Sequence, residues 1–347
     1  MSDRDLPAAM RRRGAVCAEV DGHMVAANFG DAAGEYRALR EGAAVVDLSW
    51  WGRLLVTGSD RVAFLQGMLS NDVERLTAGA GCPALLLTEQ GKVVADLIVL
   101  ASADAFALDG VAASLVAAQA ALERFIVADD VEIMPAGAED RTIALFGPDA
   151  PAVVQRLGAP PLVVPYDHAR VDAAGAEAHL VRVPGGFLCH VPAAASVAWW
   201  ERSLDVGGAV PAGTEAFEVL RIENGTPWHG RDVTADTLAL EGPYEAAISF
   251  RKGCYLGQEV MERVTARGHV NRKLVGLEIA GDVVPPGGTR LYAGERDVGW
   301  VTSAAWSWQR GRVIALAYVR REHFEPGTAL VVGEATGAPA TVRALSS

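Results

Sequence analysis

The sequence predicts a mixed α/β body followed by a small antiparallel β-barrel or sandwich. Three observations carry this. Half of the 347 residues are hydrophobic, which supplies a large core and excludes wholesale disorder. From residue 44 to about 225, apolar runs with strand spacing mix with runs of helical spacing. After about residue 270, short apolar runs are separated by Gly, Pro and charged turns. The length suggests about two domains.

The elements follow in order. Residues 44–57, AVVDLSWWGRLLVT, read as two strands around a polar turn. SDRVAFLQGML reads as a helix with Ser59 as its N-cap, and Asn71 stands where a left-handed C-terminal residue is common. PALLLTEQGKVVADLIVL is a hairpin turning at Gly91. Residues 111–125 are alanine-rich and helical. VEIMP and RTIALFG read as strands, and PDAPAVVQRLG as a helix with Pro148 and Asp149 at its start. AAASVAWWERSL and GTEAFEVLRIENG are two further helices. VVPPGG, 283–288, is a loop near the start of the C-terminal strands KLVGLEIAG, TRLYAGERDVGWVTSA, RVIALAYV and ALVVG.

The formal net charge of −12 argues against an extended nucleic-acid surface, so no direct DNA binding is expected, while a local basic pocket is compatible with it. Cys17, Cys82, Cys189 and Cys254 form no C-x-x-C pair, and scattered thiols suit a reducing compartment. Arg11, Arg12 and Arg13 are followed by no apolar leader core, and no run reaches 18 apolar residues. A soluble cytoplasmic protein is expected, with no membrane partner and no metal.

Four groups of residues attract chemical interest. Asp96 lies in an apolar strand, where a carboxylate must be hydrogen-bonded, neutralised or functional. Asn71 and Asp72 follow a helix, a position equally suited to a plain turn. Arg221, Glu223, His229, Arg231 and Asp232 crowd one helix end and loop, in a spacing that matches no metal-ligand pattern. In RKGCYLGQE, 251–259, the cations Arg251 and Lys252 precede Cys254. GQEVMERV then reads as a helix start, and Arg263, Arg267, His269, Arg272 and Lys273 follow. The sharp reading is a reactive thiol beside an anion-binding pocket; the plain one is a buried thiol with incidental surface cations.

KGCYLGQE resembles the K-G-C-Y-x-G-Q-E signature of the YgfZ-type folate-binding proteins, in the superfamily of the glycine-cleavage aminomethyltransferase, the T-protein. DLSWWGRLLVTGSDRVAFLQGMLSNDVERL, EQGKVVADLIVL, VGWVTSA and GRVIALAYVRRE are similar to other blocks of that superfamily. The resemblance implies an α+β, aminomethyltransferase-like folate-binding region over 1–268, of two interleaved subdomains, and an antiparallel β-barrel over 269–347. It implies tetrahydrofolate as ligand, including polyglutamylated forms that the basic segment would attract.

The resemblance also assigns roles. Asp96 falls on the aspartate beside the reactive folate nitrogen, and Asn71 and Asp72 on a pair near the central channel in which folate would sit. Lys252, Gly253, Cys254, Tyr255, Gly257, Gln258 and Glu259 fall on the signature, with Lys252, Tyr255, Gln258 and Glu259 expected at the ligand and Cys254 expected to be chemically special. One departure stands out: where the T-protein delivers a glutamate to the pterin, VRVPGGFLCHV, 181–191, has no carboxylate. That departure counts against glycine cleavage, and the resemblance to the YgfZ-type proteins implies an accessory factor for iron–sulfur cluster assembly or repair. Its partners would be assembly factors or client iron–sulfur enzymes, including tRNA-modifying ones. The alternative is a folate-dependent aminomethyl or one-carbon transferase using Asp96.

Overall fold

The computed structural model describes residues 5–137, 140–268, 270–334 and 336–345. The chain forms two compact units. The first comprises residues up to 86, 95–217 and Ser249–Gly253; the second comprises Leu87–Val94, Glu218–Ile248 and the chain from Cys254 onward.

In chain order the elements begin with α1 (Leu6–Arg12), β1 (Val16–Val20), β2 (His23–Asn28) and α2 (Ala32–Glu41). Next come β3 (Ala44–Asp47), β4 (Trp51–Thr57), α3 (Arg61–Met68), β5 (Gly81–Leu87), β6 (Val93–Ala101), β7 (Phe106–Val111) and α4 (Ala112–Glu123). Then follow β8 (Glu132–Pro135), β9 (Arg141–Phe146), α5 (Ala150–Arg156), β10 (His168–Ala173), β11 (Ala176–Val183) and β12 (Gly186–Val191). The chain continues through α6 (Ala193–Asp205), β13 (Val210–Ala212), α7 (Thr214–Glu223) and α8 (Gln258–Arg267). It ends in β14 (Arg272–Ile279), β15 (Arg290–Ala293), β16 (Arg296–Ser307), β17 (Arg312–Arg320), β18 (Ala329–Val332) and β19 (Ala338–Arg343).

Two sheets organise the first unit. One has the order β10-β11-β12-β9-β3-β13, and the other β5-β6-β7-β4-β8. Strands β3 and β4 are separated by one short turn yet join different sheets. β3 pairs with β9, while β4 pairs with β7 and β8. The core against the first sheet gathers Leu6 and Met10 of α1, Val45, Leu145, and Trp199 and Trp200 of α6, all 2% exposed or less. Burying such large aromatic side chains stabilises the fold by about 2–3 kcal/mol each.

The C-terminal strands close into a six-stranded antiparallel barrel of order β14-β17-β16-β15-β18-β19. Its period-2 pattern decides which side chains face inward. Val275, Leu277 and Ile279 of β14 and Val313, Ala315, Ala317 and Val319 of β17 are buried in one cluster. The alternate residues on these strands point to the outer face. The α+β class with a closed C-terminal barrel is thus the observed fold.

Some local expectations are corrected. Asp60, not Ser59, is the N-cap of α3. Ser59 instead donates from N (2.9 Å) and Oγ (2.8 Å) to Asp130 Oδ2, tying the start of α3 to the approach of β8. Asn71 is not left-handed, because α3 ends at Leu69 in extended backbone. The segment 181–191 is a β-hairpin turning at Gly185. Among the described residues no helix is long and apolar enough to cross a membrane.

Candidate active site

Asp96 sits on β6, an interior strand of the five-stranded sheet. The strand is not apolar-buried on both faces along its length. Val93, Ala95, Leu97 and Val99 are buried, while Val94, Asp96 and Ile98 alternate with them half-buried. Side chains two apart on a strand share a face. Ile98 stands opposite Asp109 of β7, and Asp109 opposite Arg53 of β4. Asp96 therefore emerges on the sheet face that also carries Arg53 and Asp109. It is a carboxylate at the open end of a polar face, not one sealed in a core.

That face leads into a buried polar chain. Asp109 is fully buried and takes a two-pronged ion pair from Arg53, Nε to Oδ1 at 2.6 Å and Nη2 to Oδ2 at 2.7 Å. His190 of β12 donates Nε2–H to Asp109 Oδ2 at 2.8 Å, and its Nδ1 lies 3.1 Å from Thr142 Oγ1. Arg53 also meets His179 Nδ1, His179 Nε2 lies 2.7 Å from His168 Nδ1, and His168 Nε2 reaches the Ala101 carbonyl at 3.0 Å.

The donors in this chain assign themselves. A guanidinium only donates, so His179 Nδ1 accepts and its Nε2–H donates onward. A carbonyl only accepts, so His168 Nε2–H donates and its Nδ1 receives the bond from His179. Both ends demand the same neutral tautomers.

Electrostatics agree. Burial alone would raise Asp109, but Arg53 above all, with His190, outweighs it and holds the carboxyl far below the usual range. Burial first, then the Arg53 charge, pushes His179 down to about 2. His168 and His190 are lowered, again chiefly by burial. The network links β4 and β7 of one sheet to β9–β12 of the other. Nothing in the sequence announced it except the density of histidine: three of the seven lie between residues 168 and 190.

Asn71 and Asp72 brace the exit from α3. Asn71 Nδ2 donates to Pro83 O at 2.7 Å, while its Oδ1 accepts from Asp72 N. Asp72 Oδ1 accepts from Gln66 Nε2, and Asp72 pairs with Arg75 at 3.1 Å. Lys252 joins the same place from far along the chain. Its Nζ donates to the carbonyls of Gln66 (2.6 Å), Leu69 (2.6 Å) and Asn71 (2.9 Å). The first two are carbonyls at the C-terminal end of α3, where a cation is also favoured by the helix dipole, and Asn71 lies two residues beyond its C-cap Leu69. Burial lowers Lys252 to about 8, against the opposing pull of Asp72.

The rest of the octapeptide belongs to the second unit, except Gly253. Tyr255 is buried, 7% exposed. Gln258 Oε1 accepts from Tyr255 N at 3.2 Å, and its Nε2 donates to Glu262. Glu259 pairs with Arg263 at 2.6 Å. Gly257 has φ +85°, and a Cβ there would meet Thr88 O at 2.6 Å, so only glycine fits. Cys254 is exposed, just ahead of α8. Most of the motif thus shapes the chain where it passes from one unit to the next.

The basic segment is less free than its composition suggests. Besides Arg263, Arg272 pairs with Glu241 at 3.0 Å and Lys273 with Glu245 at 3.5 Å. The side chain of Arg267, and His269, lie outside the described residues. Among the loop residues singled out near α7, Arg221 binds Asp232 (2.7 Å), Glu218 and Ser303, and Arg231 covers the Trp228 ring at 4.1 Å. That group is a buried ion pair closed by a hydroxyl and an indole.

Comparison with known proteins adds the family. Residues 6–252 match the GCVT N-terminal domain, and residues 272–346 match the glycine cleavage T-protein C-terminal barrel domain. The aminomethyltransferase of Geobacillus sp. (strain WCH70) is 29% identical over 94% of this chain and 92% of its own. That of Halalkalibacterium halodurans is 30% identical over 86% and 84% respectively. Glycine cleavage system aminomethyltransferase T from Bartonella henselae has the same fold, with a TM-score of 0.86 and 24% identity over 98% of this chain and 97% of that one. These relatives overturn the iron–sulfur accessory role expected from the octapeptide. Similarity extends over nearly the whole chain, to proteins named for aminomethyl transfer. An eight-residue match whose side chains largely serve packing and capping weighs less.

Proposed function

The chain belongs to the glycine-cleavage T-protein family, and from that membership we propose that it transfers an aminomethyl or related one-carbon group to tetrahydrofolate, with Asp96 as the base. The observation that carries the reading is Asp96 itself: a half-buried carboxylate on the sheet face that also carries the ion pair of Arg53 with Asp109. We read KGCYLGQE as the mark of the YgfZ-type branch of this family and assign the transfer reaction to that branch member as a cytoplasmic enzyme.

The chemistry needs a proton acceptor. An aminomethyl compound X–CH2–NH2 loses its bonds from carbon to X and to nitrogen. The carbon forms bonds to two folate nitrogens, and their two N–H protons pass to X and to the departing ammonia. A positioned carboxylate that takes up one of these protons and returns it accelerates such a step by about 10²–10⁴-fold. The 181–191 hairpin has no carboxylate to receive the pterin amine.

The test is formation of methylene-tetrahydrofolate from tetrahydrofolate and an aminomethyl thioether, with calorimetric binding of tetrahydrofolate measured alongside. Asp96→Asn should lower the rate by about 10²-fold or more and weaken binding far less. Failure of the wild type to form methylene-tetrahydrofolate, or an unchanged rate in Asp96→Asn, overturns the reading.

A further inference from the structure

The outer face of the barrel holds a cavity of about 410 Å³ with an unusual lining for a chain of charge −12. Four arginines, Arg272, Arg290, Arg320 and Arg321, border it with only two acids, Asp297 and Glu322. Its floor is aromatic. Trp300 of β16 stands opposite Tyr318 of β17 and opposite Arg290 of β15, while Arg272 of β14 stands opposite Arg320 of β17. The Trp300 and Tyr318 rings are 5.3 Å apart, with the Arg272 guanidinium 5.1 Å and 5.2 Å from their centres. Arg290 lies 5.8 Å from the Trp300 centre.

Two of the cations are committed and two are not. Arg290 is paired with Asp297, and Arg272 with Glu241. Arg320 and Arg321 are exposed and carry no salt bridge among the described residues, with Glu322 the acid beside them. Arginine forks suit phosphate oxygens two at a time. A half-buried indole offers its open surface to a planar ring. The volume lies within the roughly 300–1,000 Å³ of small-molecule sites. Of the four strands beneath, the long β17 pairs with the long β14 on one side and β16 on the other, so the floor is preorganised and not a product of loop closure.

We propose that this cavity binds a small planar ligand bearing a phosphate, of the nucleoside monophosphate class. The ring stacks on Trp300 and the phosphate is received by Arg320 and Arg321. The residues lining this cavity do not include Asp96, and the test does not depend on the transfer reaction.

The experiment is calorimetric titration of the full chain with three probes: AMP, ribose 5-phosphate and adenosine. AMP should bind more tightly than either fragment. Arg320→Gln with Arg321→Gln should weaken AMP and ribose 5-phosphate by about tenfold or more and leave adenosine unchanged. Trp300→Leu should weaken AMP and adenosine, leaving ribose 5-phosphate unchanged. The arginine pair is exposed, so its variant should keep the wild-type melting temperature even if Trp300→Leu does not fold. No AMP binding at millimolar concentration, or equal AMP affinity in the arginine variant, overturns the proposal. Ribose 5-phosphate binding as tightly as AMP overturns the ring half of it.

Discussion

The two units bury charge with different chemistry. In the first, the buried ion pair Arg53–Asp109 is extended by three histidines, His190, His179 and His168, that run between two sheets. In the second, the buried pair Arg221–Asp232 is closed by hydroxyls and carboxylates, with Ser303 and Thr302 as partners of Asp232. Burial would lower Arg221, but Asp232 and Glu218 outweigh it and keep it charged. The barrel interior beside it is apolar. Histidine is the side chain that changes charge near neutral pH, whereas arginine does not. Acid sensitivity should therefore sit in the first unit, and the barrel should tolerate the same change.

The strongest way to break this comparison is to remove Asp109. Asp109→Ala leaves the largely buried Arg53 charge without its carboxylate, which costs about 3–5 kcal/mol. Urea unfolding followed by tryptophan fluorescence measures it. Adding Arg53→Met should restore much of the loss, because the pair as a unit contributes little net stability. A loss below about 1 kcal/mol for Asp109→Ala would mean that water already reaches the pair.

Acid sharpens the comparison further. His179 titrates near 2 in the folded chain, against an ordinary value of 6.5. Below about pH 6.5 the unfolded chain binds a proton that the folded chain refuses, so stability falls as pH falls, across the window from 6.5 towards 2. At pH 5 this amounts to about 2 kcal/mol from one such histidine. Asp47 opposes it. Burial raises Asp47 to about 6, against Ser49 hydrogen bonds that pull the other way. The folded chain then takes up that proton first, which adds about 1 kcal/mol at pH 5. With His168 and His190 also lowered, the histidines prevail. Hydrogen exchange at pH 7.5 and pH 5 should show β9–β12 losing protection while β14–β19 keep theirs. Equal losses in both would refute the assignment of acid sensitivity to the histidine chain.

A third comparison concerns how each unit ends a helix. Lys252 closes α3 through three carbonyls, and Arg343 closes α7 through those of Ile222 (2.7 Å) and Glu223 (3.2 Å). Lys252→Met keeps most of the stem and removes the donors. It should destabilise the first unit by about 1–3 kcal/mol, read as lost exchange protection at the end of α3. An unchanged profile would return Lys252 to the ligand-binding role that the octapeptide suggested.

The smallest effect is expected at Cys254. The thiol is exposed and Cys189 is buried, with Cys17 and Cys82 between them. Burial pushes Cys82 up to about 12. Cys254→Ser should change stability by less than about 0.5 kcal/mol, and Cys254 should be the first thiol labelled by an alkylating reagent. Faster labelling of Cys82 would contradict the burial order.

Much of the fold was legible because it is local. The β5–β6 hairpin was readable from two apolar runs and a glycine, and Gly91 has φ +73°. The barrel strands were readable because alternate residues must face a core, which imprints period 2 on the chain. Even the helix start after KGCYLG was readable, since α8 begins at Gln258. The three strands β10–β12 were not individually legible, nor was the partition of β3 and β4 into different sheets. No local pattern records which distant strand is a neighbour.

The same reason governs the sites. Asp96 could be singled out because one carboxylate among apolar residues contradicts its surroundings within a few positions. Arg53, Asp109, Thr142, His168, His179 and His190 could not, because each is unremarked in its own segment and the network exists only once two sheets face each other. The octapeptide shows the limit from the other side: its residue types were plain in the sequence. That Lys252 caps α3, Gly257 packs on Thr88 and Cys254 alone among the thiols stands exposed was decided by tertiary structure, because hydrogen-bond partners and burial are set by distance in space and not by distance along the chain.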